Sequence, residues 1–247
     1  MFELSSISKG DNVLDLATGI GDPSIAAAEI VKPDGHVTAI DFSPDRLNIA
    51  RNRAKERNLE DIVTFIESDI DLFEFPTTKF DVAFCKWGLM FVGNLQSVVS
   101  NIHKSLLPGK GRLVAAVWPI REKVPIMNVP LTIVERLNLP PLPSAIDPFS
   151  LSDGSGLART LRDLGFSDVK IESVPVIYEF DSPEEYVDFI YETNGGLKQR
   201  VASAFPNNTT LQRNVRDAIL EEAKSFSNSS GKAVFQNESI LISGSRE

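Results

Sequence analysis

The chain has 247 residues, of which 42% are hydrophobic and 24% charged, and its formal net charge is −9 at pH 7. An acidic chain has no general attraction for phosphate backbones or anionic lipid surfaces, so the composition argues against nucleic acid as a main partner. No apolar run approaches the roughly 18 residues of a transmembrane helix, which argues against stable membrane insertion, and the N-terminus has no signal-peptide pattern. One cysteine and two histidines exclude an internal disulfide and make a poor zinc set, so we predict a cytoplasmic protein without a bound metal.

Strand and helix patterns alternate through the first 118 residues. Short apolar runs predict strands at 12–17, 36–40, 62–66, 80–85 and 111–118, and helices are predicted at 24–31, from Ser43 onward and at 95–107. Ser43-Pro44 is a strong helix start, with serine as the N-cap and proline in the first turn. Continuous apolar strands joined by helices indicate a buried parallel sheet.

The pattern changes between residues 119 and 156, which hold seven of the fifteen prolines and one helical stretch near 129–137. A proline-rich stretch between regular elements is usually a surface insertion, and functional lids are drawn from such insertions. The α/β pattern then resumes with a helix at 157–164, a strand at 169–180, helices at 182–204 and 209–226, and a possible closing strand formed by 233–235 and 239–242.

These elements predict an α/β fold of the Rossmann-like, doubly wound type. We expect a mostly parallel seven-stranded sheet with helices on both faces and a helical lid or insertion. The chain is expected to form one domain overall, divided into a cofactor-binding core at 1–118, the proline-rich insertion or lid at 119–156, and a C-terminal part at 157–247 that completes the sheet and supplies substrate-side helices.

The chemically informative residues follow the first three strands. In an open parallel sheet, ligands bind outside the carboxyl ends of the strands. The first strand ends in the segment from Asp15 to Gly21, where glycines at 19 and 21 allow a sharp turn and a close approach to a ligand. The second strand ends in Asp41-Phe42, and the third in Ser68-Asp69-Ile70.

Asp15 decides between two ligand classes that use this layout. A dinucleotide site needs a third glycine where this chain has Ser24, and a carboxylate beneath the loop would repel a pyrophosphate. The same carboxylate suits a cation such as an α-ammonium. Asp41 suits a ribose diol with Phe42 against a purine face, and Asp69 can accept from an exocyclic amine with Ile70 against the ring. S-adenosylmethionine combines all of these groups.

At this point the sequence resembles the class I S-adenosylmethionine-dependent methyltransferases, in particular their small-molecule branch, which includes the ubiquinone/menaquinone-biosynthesis enzymes. The motifs that carry the resemblance are residues 13–21, 37–43, 67–69, 80–91 and 107–113. The resemblance implies that Asp15, Gly19 and Gly21 flank the methionine end of the cofactor. It also implies that Asp41 binds the ribose and Asp69 the adenine amine, and that residues 85–87 lie beneath the methionine portion and beside the acceptor.

The resulting hypothesis is methyl transfer to a small-molecule acceptor by in-line displacement, mainly through proximity and orientation, with S-adenosylhomocysteine as the product. No general base can be named, and the acceptor is expected between residues 119–150 and 180–205. A homo-oligomer is possible. The predicted cofactor-binding residues are Asp15, Ala17, Thr18, Gly19, Gly21, Asp41, Phe42, Ser68, Asp69, Ile70, Cys85, Lys86 and Trp87.

Two other functions fit the sequence less well. A nicotinamide-dependent oxidoreductase would need a pyrophosphate to tolerate Asp15, and a non-catalytic binder of the same cofactor would keep the cleft without turnover. The family usually carries several tens of helical residues before its first strand, whereas the first strand here is predicted near residue 12. The cover over the site is therefore expected from the insertion and the C-terminal helices, or from a partner chain. A third alternative is that this sequence starts late and that residues before it supply the cover.

Overall fold

A computed structural model describes residues 1–142 and 146–247. Its seven strands form one sheet in the order β3-β2-β1-β4-β5-β7-β6. The strands are β1 (Asn12–Leu16), β2 (His36–Asp41), β3 (Val63–Glu67), β4 (Val82–Lys86), β5 (Arg112–Val117), β6 (Phe166–Phe180) and β7 (Ala233–Arg246).

The predicted sheet is confirmed in its strand number and in its Rossmann-like arrangement, but it is mixed and not purely parallel. Strands β1 to β5 pair in parallel, whereas β7 runs antiparallel to β5, with Val117 opposite Ile240. Strand β7 returns to the sheet beside β5 after a long excursion of the chain. The sequence pattern alone does not show the direction of a strand.

The helices that connect the first five strands begin and end close to their predicted limits. Ser43 caps α3 by accepting a hydrogen bond from the Arg46 amide at 3.4 Å, and Asn94 caps α4 in the same way. The helices described are α1 (Phe2–Ser5), α2 (Ser24–Val31), α3 (Pro44–Glu56), α4 (Leu95–Ser105), α5 (Pro125–Arg136), α6 (Ser155–Asp163), α7 (Pro183–Thr193), α8 (Gly195–Ala204) and α9 (Thr209–Ala223).

The single helix predicted over 182–204 is wrong, because the chain breaks at Asn194 into α7 and α8. Asn194 ends the first of these helices, and its side chain accepts a hydrogen bond from the Leu197 amide at 2.9 Å. Asparagine followed by Gly195 and Gly196 is a common helix stop and restart, since asparagine favours caps and glycine tolerates the change in backbone direction.

Two stretches of the chain form compact units. One contains Met1–Trp118, Pro148–Ser173 and Ile240–Glu247, and the other contains Pro119–Asp147 and Val174–Ser239. The division of the chain at residues 118 and 156 stays a prediction, and residues 143–145 of the predicted insertion lie outside the described part. Over the described ranges, no helix combines the length and apolar character that crossing a bilayer requires.

The core of the first unit surrounds β1, β2 and β4. Val13, Val37 and Phe84 are fully buried there together with Ala27 and Ala28 of α2. Small alanines on α2 let this helix lie close to the sheet, and that position brings its N-terminus to the carboxyl end of β1.

Candidate functional site

The carboxyl ends of β1, β2 and β4 lie side by side. Leu16, the last residue of β1, is opposite Ile40 of β2 and Cys85 of β4. Asp41 is in turn opposite Glu67 at the end of β3. The parallel register therefore brings the ends of all four strands, and the loops that follow them, to one edge of the sheet.

Asp15 lies beneath the loop that follows β1 and is fully buried. Its Oδ2 accepts hydrogen bonds from the amide of Ser24, at 3.1 Å, and from the Ser24 hydroxyl. Its Oδ1 is buried without a hydrogen-bond partner among the described residues. Burial raises the pKa of Asp15 to about 6, and the hydrogen bond from Ser24 opposes this rise. This carboxylate thus holds the N-terminus of α2 and retains one unused acceptor oxygen.

The backbone of the loop from Ala17 to Gly21 adopts left-handed conformations at three positions: Ala17 at φ 57°, Gly19 at φ 56° and Gly21 at φ 94°. A Cβ on Gly21 would lie 2.8 Å from Ile25 Cδ1, whereas a Cβ on Gly19 would meet nothing within 4 Å. A side chain at Gly21 would need the Ile25 side chain to shift and would be strained at this positive φ, whereas Gly19 faces open space that a ligand can occupy. Thr18 is buried, and its hydroxyl is hydrogen-bonded to the Ser24 hydroxyl at 2.6 Å.

Asp41 links the glycine loop to the ends of β2 and β3. Its Oδ2 accepts from the Gly19 amide at 2.8 Å, and its Oδ1 accepts from the Ser43 amide at 2.9 Å. Its carbonyl oxygen accepts from the Ser68 amide at 3.0 Å. Each carboxylate oxygen can accept more than one hydrogen bond, so Asp41 keeps acceptor capacity after these contacts. The next residue, Phe42, is 70% exposed. A large apolar side chain is therefore accessible to a ligand beside the buried carboxylate of Asp41.

Asp69 and Ile70 follow β3 in a loop that forms its own contacts. The carboxylate of Asp69 is exposed and accepts a hydrogen bond from the Asp71 amide at 2.9 Å, and Ile70 is half-buried. Asp71 in turn accepts from the amides of Gly93 and Asn94. Asp69 is therefore at the same edge of the sheet as Asp41, but its described hydrogen bond lies within its own loop.

The end of β4 provides one buried and two partly exposed side chains. Cys85 is fully buried, and burial raises the pKa of its thiol to about 12, so it is neutral and packs in the core. Lys86 forms an ion pair with Asp22. Trp87 has a positive φ of 57° and stacks on Trp118, with ring centroids 4.0 Å apart and planes 15° from parallel.

Sequence reasoning missed two members of this edge, Asp22 and Trp118. Asp22 directly follows Gly21, and Trp118 directly follows β5. Both residues obey the strand-end rule that selected the others, so this rule applied to every strand end and loop could have found them.

A cleft of about 380 Å³ lies at the opposite edge of the sheet, near the amino ends of β1, β4 and β5. Asp11 and Asp81 are buried there, and the Lys110 ammonium reaches both, at 3.1 Å and 2.6 Å. Their other carboxylate oxygens accept from the backbone amides of Ser8 and Asn12. These carboxylates are therefore occupied by contacts that stabilise the start of β1. The carboxyl edge, where acceptor oxygens and an exposed ring are free for a ligand, is the better candidate for the functional site.

The carboxyl edge offers open space at Gly19, a buried acid on the second strand and an exposed aromatic ring beside that acid. Among the described residues, Asp15 also keeps one oxygen without a hydrogen-bond partner. Over residues 1–142 and 146–247 there is no group of three or more histidine, cysteine, aspartate or glutamate side chains that could hold a metal ion.

Comparison with known proteins identifies a family and a fold. Residues 7–137 match the family described as "Methyltransferase domain". A demethylmenaquinone methyltransferase of Listeria welshimeri is 36% identical over 107 residues, which is 43% of this chain and 45% of the relative. A ubiquinone/menaquinone biosynthesis C-methyltransferase of Ectopseudomonas mendocina is 34% identical over 111 residues, which is 45% of this chain and 43% of the relative.

The matched region spans less than half of the length of these two curated relatives. Among solved structures, a phosphoethanolamine N-methyltransferase 2 of Haemonchus contortus, in complex with phosphomonomethylethanolamine and S-adenosylhomocysteine, superposes with a TM-score of 0.59. The superposition covers 99% of this chain and 51% of that one at 17% sequence identity, and so it establishes likeness of fold.

Proposed function

This chain belongs to the methyltransferase-domain family, and on that premise we propose that it transfers a methyl group to a small-molecule acceptor. The cofactor is S-adenosylmethionine, which supplies an activated methyl group on a sulfonium and leaves as S-adenosylhomocysteine. The reaction is an in-line displacement, so the protein contributes mainly position and electrostatics.

The observation that carries this proposal is the contact between Asp41 and the glycine loop. A carboxylate at the end of the second strand accepts the Gly19 amide at 2.8 Å, with the exposed Phe42 beside it. This arrangement couples an acceptor for a ribose diol to the loop that receives the rest of the cofactor, and it leaves an aromatic surface for a purine.

The proposed roles follow the order of the strand ends. Asp15, with Ala17, Thr18, Gly19 and Gly21 of the loop above it, would hold the methionine end. Asp41 would bind the ribose hydroxyls. The purine would lie against Phe42 and Ile70, with Ser68 and Asp69 offering polar contacts to its edge. Residues Cys85, Lys86 and Trp87 would form the floor beneath the methionine portion.

The rate enhancement is proposed to come from alignment of the methyl donor and the acceptor. Holding two reactants in a near-attack geometry can supply roughly 7–11 kcal/mol of a barrier. The fully buried Cys85 has a neutral thiol, so it is not proposed as a nucleophile or a base.

The proposal also covers the arrangement of the helices, the location of the protein and its oligomeric state. We infer a doubly wound arrangement with helices on both faces of the sheet, a cytoplasmic location and a possible homo-oligomer. The net charge of −9 supports a small-molecule partner over nucleic acid. Because two relatives are named for quinone biosynthesis, a demethylated menaquinone analogue is the first acceptor to test.

Two measurements test the proposal. Isothermal titration calorimetry should detect S-adenosylhomocysteine binding to the full chain, and incubation with methyl-labelled S-adenosylmethionine should label the quinone analogue or a compound in a small-molecule extract. Binding without any labelled product would favour a non-catalytic cofactor binder. Binding of NAD or NADP in place of S-adenosylhomocysteine would favour an oxidoreductase and refute the proposal.

A further inference from the structure

An ion pair connects the glycine loop to the end of β4. Asp22 directly follows Gly21 in the loop after β1, and Lys86 is the last residue of β4. Since β1 and β4 are neighbours in parallel register, the pair between Lys86 Nζ and Asp22 Oδ2 spans the carboxyl edge of the sheet between these two strands.

This ion pair is partly exposed to solvent, mainly on the Asp22 side. The Asp22 side chain is 56% exposed, and the Lys86 side chain is 22% exposed. Ion pairs with this degree of exposure contribute little to folding stability, because water and salt screen the attraction and ordering two side chains costs entropy. The pair is therefore a weak stabiliser, although it holds two opposite charges at a fixed place in the candidate site.

The neighbouring charges indicate what this pair can recognise. Asp15 is buried, and one of its oxygens is already engaged by Ser24. The charges of Lys86 and Asp22 both act on the Asp15 carboxyl group, which places the three side chains in one electrostatic cluster. Within this cluster, Asp22 is the carboxylate that an incoming cation can reach from solvent.

An α-amino acid terminus carries one ammonium and one carboxylate, both bonded to the same α-carbon. A ligand that ends in this group can replace one internal ion pair by two ligand ion pairs, so that no buried or exposed charge is left without a counter-charge. A single cation or anion would leave either Lys86 or Asp22 without its partner. The pair thus matches a zwitterion better than it matches a simple ion.

We propose that Asp22 and Lys86 form a charge-exchange pair for the amino acid end of the cofactor. Asp22 would bind the α-ammonium and Lys86 the α-carboxylate, and their mutual ion pair would reform when the product leaves. This inference rests on the proposed function. It adds Asp22 to the site and assigns Lys86 to the α-carboxylate of the ligand.

The test compares two ligands that share a nucleoside. S-Adenosylhomocysteine carries the amino acid end, whereas 5′-methylthioadenosine lacks it. Calorimetric titrations would be run on the full chain with Asp22→Asn, Lys86→Gln and the double reversal Asp22→Lys/Lys86→Asp. Asp34→Asn is the matched control for Asp22→Asn, because Asp34 forms an exposed ion pair with Lys9 at 3.3 Å and both substitutions change the net charge by +1.

We expect each single variant to weaken S-adenosylhomocysteine binding by roughly tenfold to a hundredfold, the usual cost of losing a charge-assisted hydrogen bond. Binding of 5′-methylthioadenosine should be unchanged. The double reversal can keep an ion pair but presents the wrong polarity, so it should bind S-adenosylhomocysteine more weakly than either single variant while its melting temperature stays at the wild-type value.

Unchanged S-adenosylhomocysteine affinity in Asp22→Asn would overturn the inference. Equal losses for both ligands would also overturn it, because they would indicate an altered loop shape. Wild-type protein that binds neither nucleoside would refute the proposed function itself, so the two failures are distinguishable.

Discussion

Asp15 and Asp41 are both buried carboxylates at strand ends, yet their surroundings differ. Asp41 accepts backbone amides on both of its oxygens, whereas Asp15 has one oxygen engaged by Ser24 and one without a partner among the described residues. The sequence pattern predicts that these two acids lie at the carboxyl ends of neighbouring strands. It does not predict their hydrogen bonding, because the donors come from α2 and from the loop, which are placed by tertiary packing.

Replacement of Asp41 should weaken cofactor binding directly. Asp41→Ala removes an acceptor for the ribose and the anchor of the Gly19 amide, so we expect S-adenosylhomocysteine binding to weaken by about 1.5–3 kcal/mol in calorimetric titration. Asp45→Ala is the control, since Asp45 is exposed in the first turn of α3. Wild-type affinity in the Asp41 variant would remove this residue from the site.

Asp15 should make folding stability depend on pH in a defined direction. Burial raises its pKa from 3.8 to about 6, so the folded state binds the proton more tightly than the unfolded state. The resulting penalty is absent below pH 4, grows between pH 4 and 6, and is complete above that range. A shift of this size corresponds to about 3 kcal/mol.

Urea unfolding of the wild type and of Asp15→Asn at pH 4 and pH 7 measures this penalty. We expect the wild type to lose up to about 3 kcal/mol of unfolding free energy relative to the variant over this range. Other carboxyl groups titrate in both proteins and cancel in the difference. A difference that stays constant with pH would show that folding leaves the pKa of Asp15 unshifted, and so would contradict this prediction.

The glycine loop illustrates how an element combines folding and binding requirements. Gly21 is confined by Ile25 and Ala50, whereas Gly19 faces open space. We expect Gly21→Ala to lower the unfolding free energy by about 1–3 kcal/mol through overpacking and backbone strain. Gly19→Ala should lose less stability and more cofactor affinity, because the added methyl group enters the ligand space.

Thermal unfolding and calorimetric titration of the two variants separate these effects. We expect Gly21→Ala to show the larger fall in melting temperature. We expect Gly19→Ala to show the larger rise in the Kd of S-adenosylhomocysteine. Equal affinity in wild type and Gly19→Ala would place the ligand elsewhere.

The sequence predicts most elements of the sheet because buried strands have continuous apolar runs that end in polar residues. It fails where side-chain contacts override the local pattern. The helix α1 covers only Phe2–Ser5, too short for a periodic signal, and the Phe2 ring is fixed by edge contact with Phe84 at 5.4 Å. Strand β7 continues through the polar stretch at 236–238 because the buried Asn237 donates to Val176 O and Phe235 O.

The whole molecule should be stabilised by its cofactor through mass action. At a ligand concentration of 100 times Kd, binding to the folded state adds about 2.7 kcal/mol. For a chain of this size, that corresponds to a rise of roughly 5–10 °C in melting temperature. Scanning calorimetry with S-adenosylhomocysteine should show this rise, and NAD at the same concentration should not. Equal protection by both ligands would indicate a general nucleotide site.

Both tryptophans of the chain, Trp87 and Trp118, stack on each other at the carboxyl ends of β4 and β5. Ultraviolet emission excited at the red edge of protein absorbance therefore comes from one location, beside the strand ends proposed to hold the methionine portion. The native chain thus carries an intrinsic optical probe at these strand ends, and we expect ligand binding there to change the tryptophan emission without any attached dye.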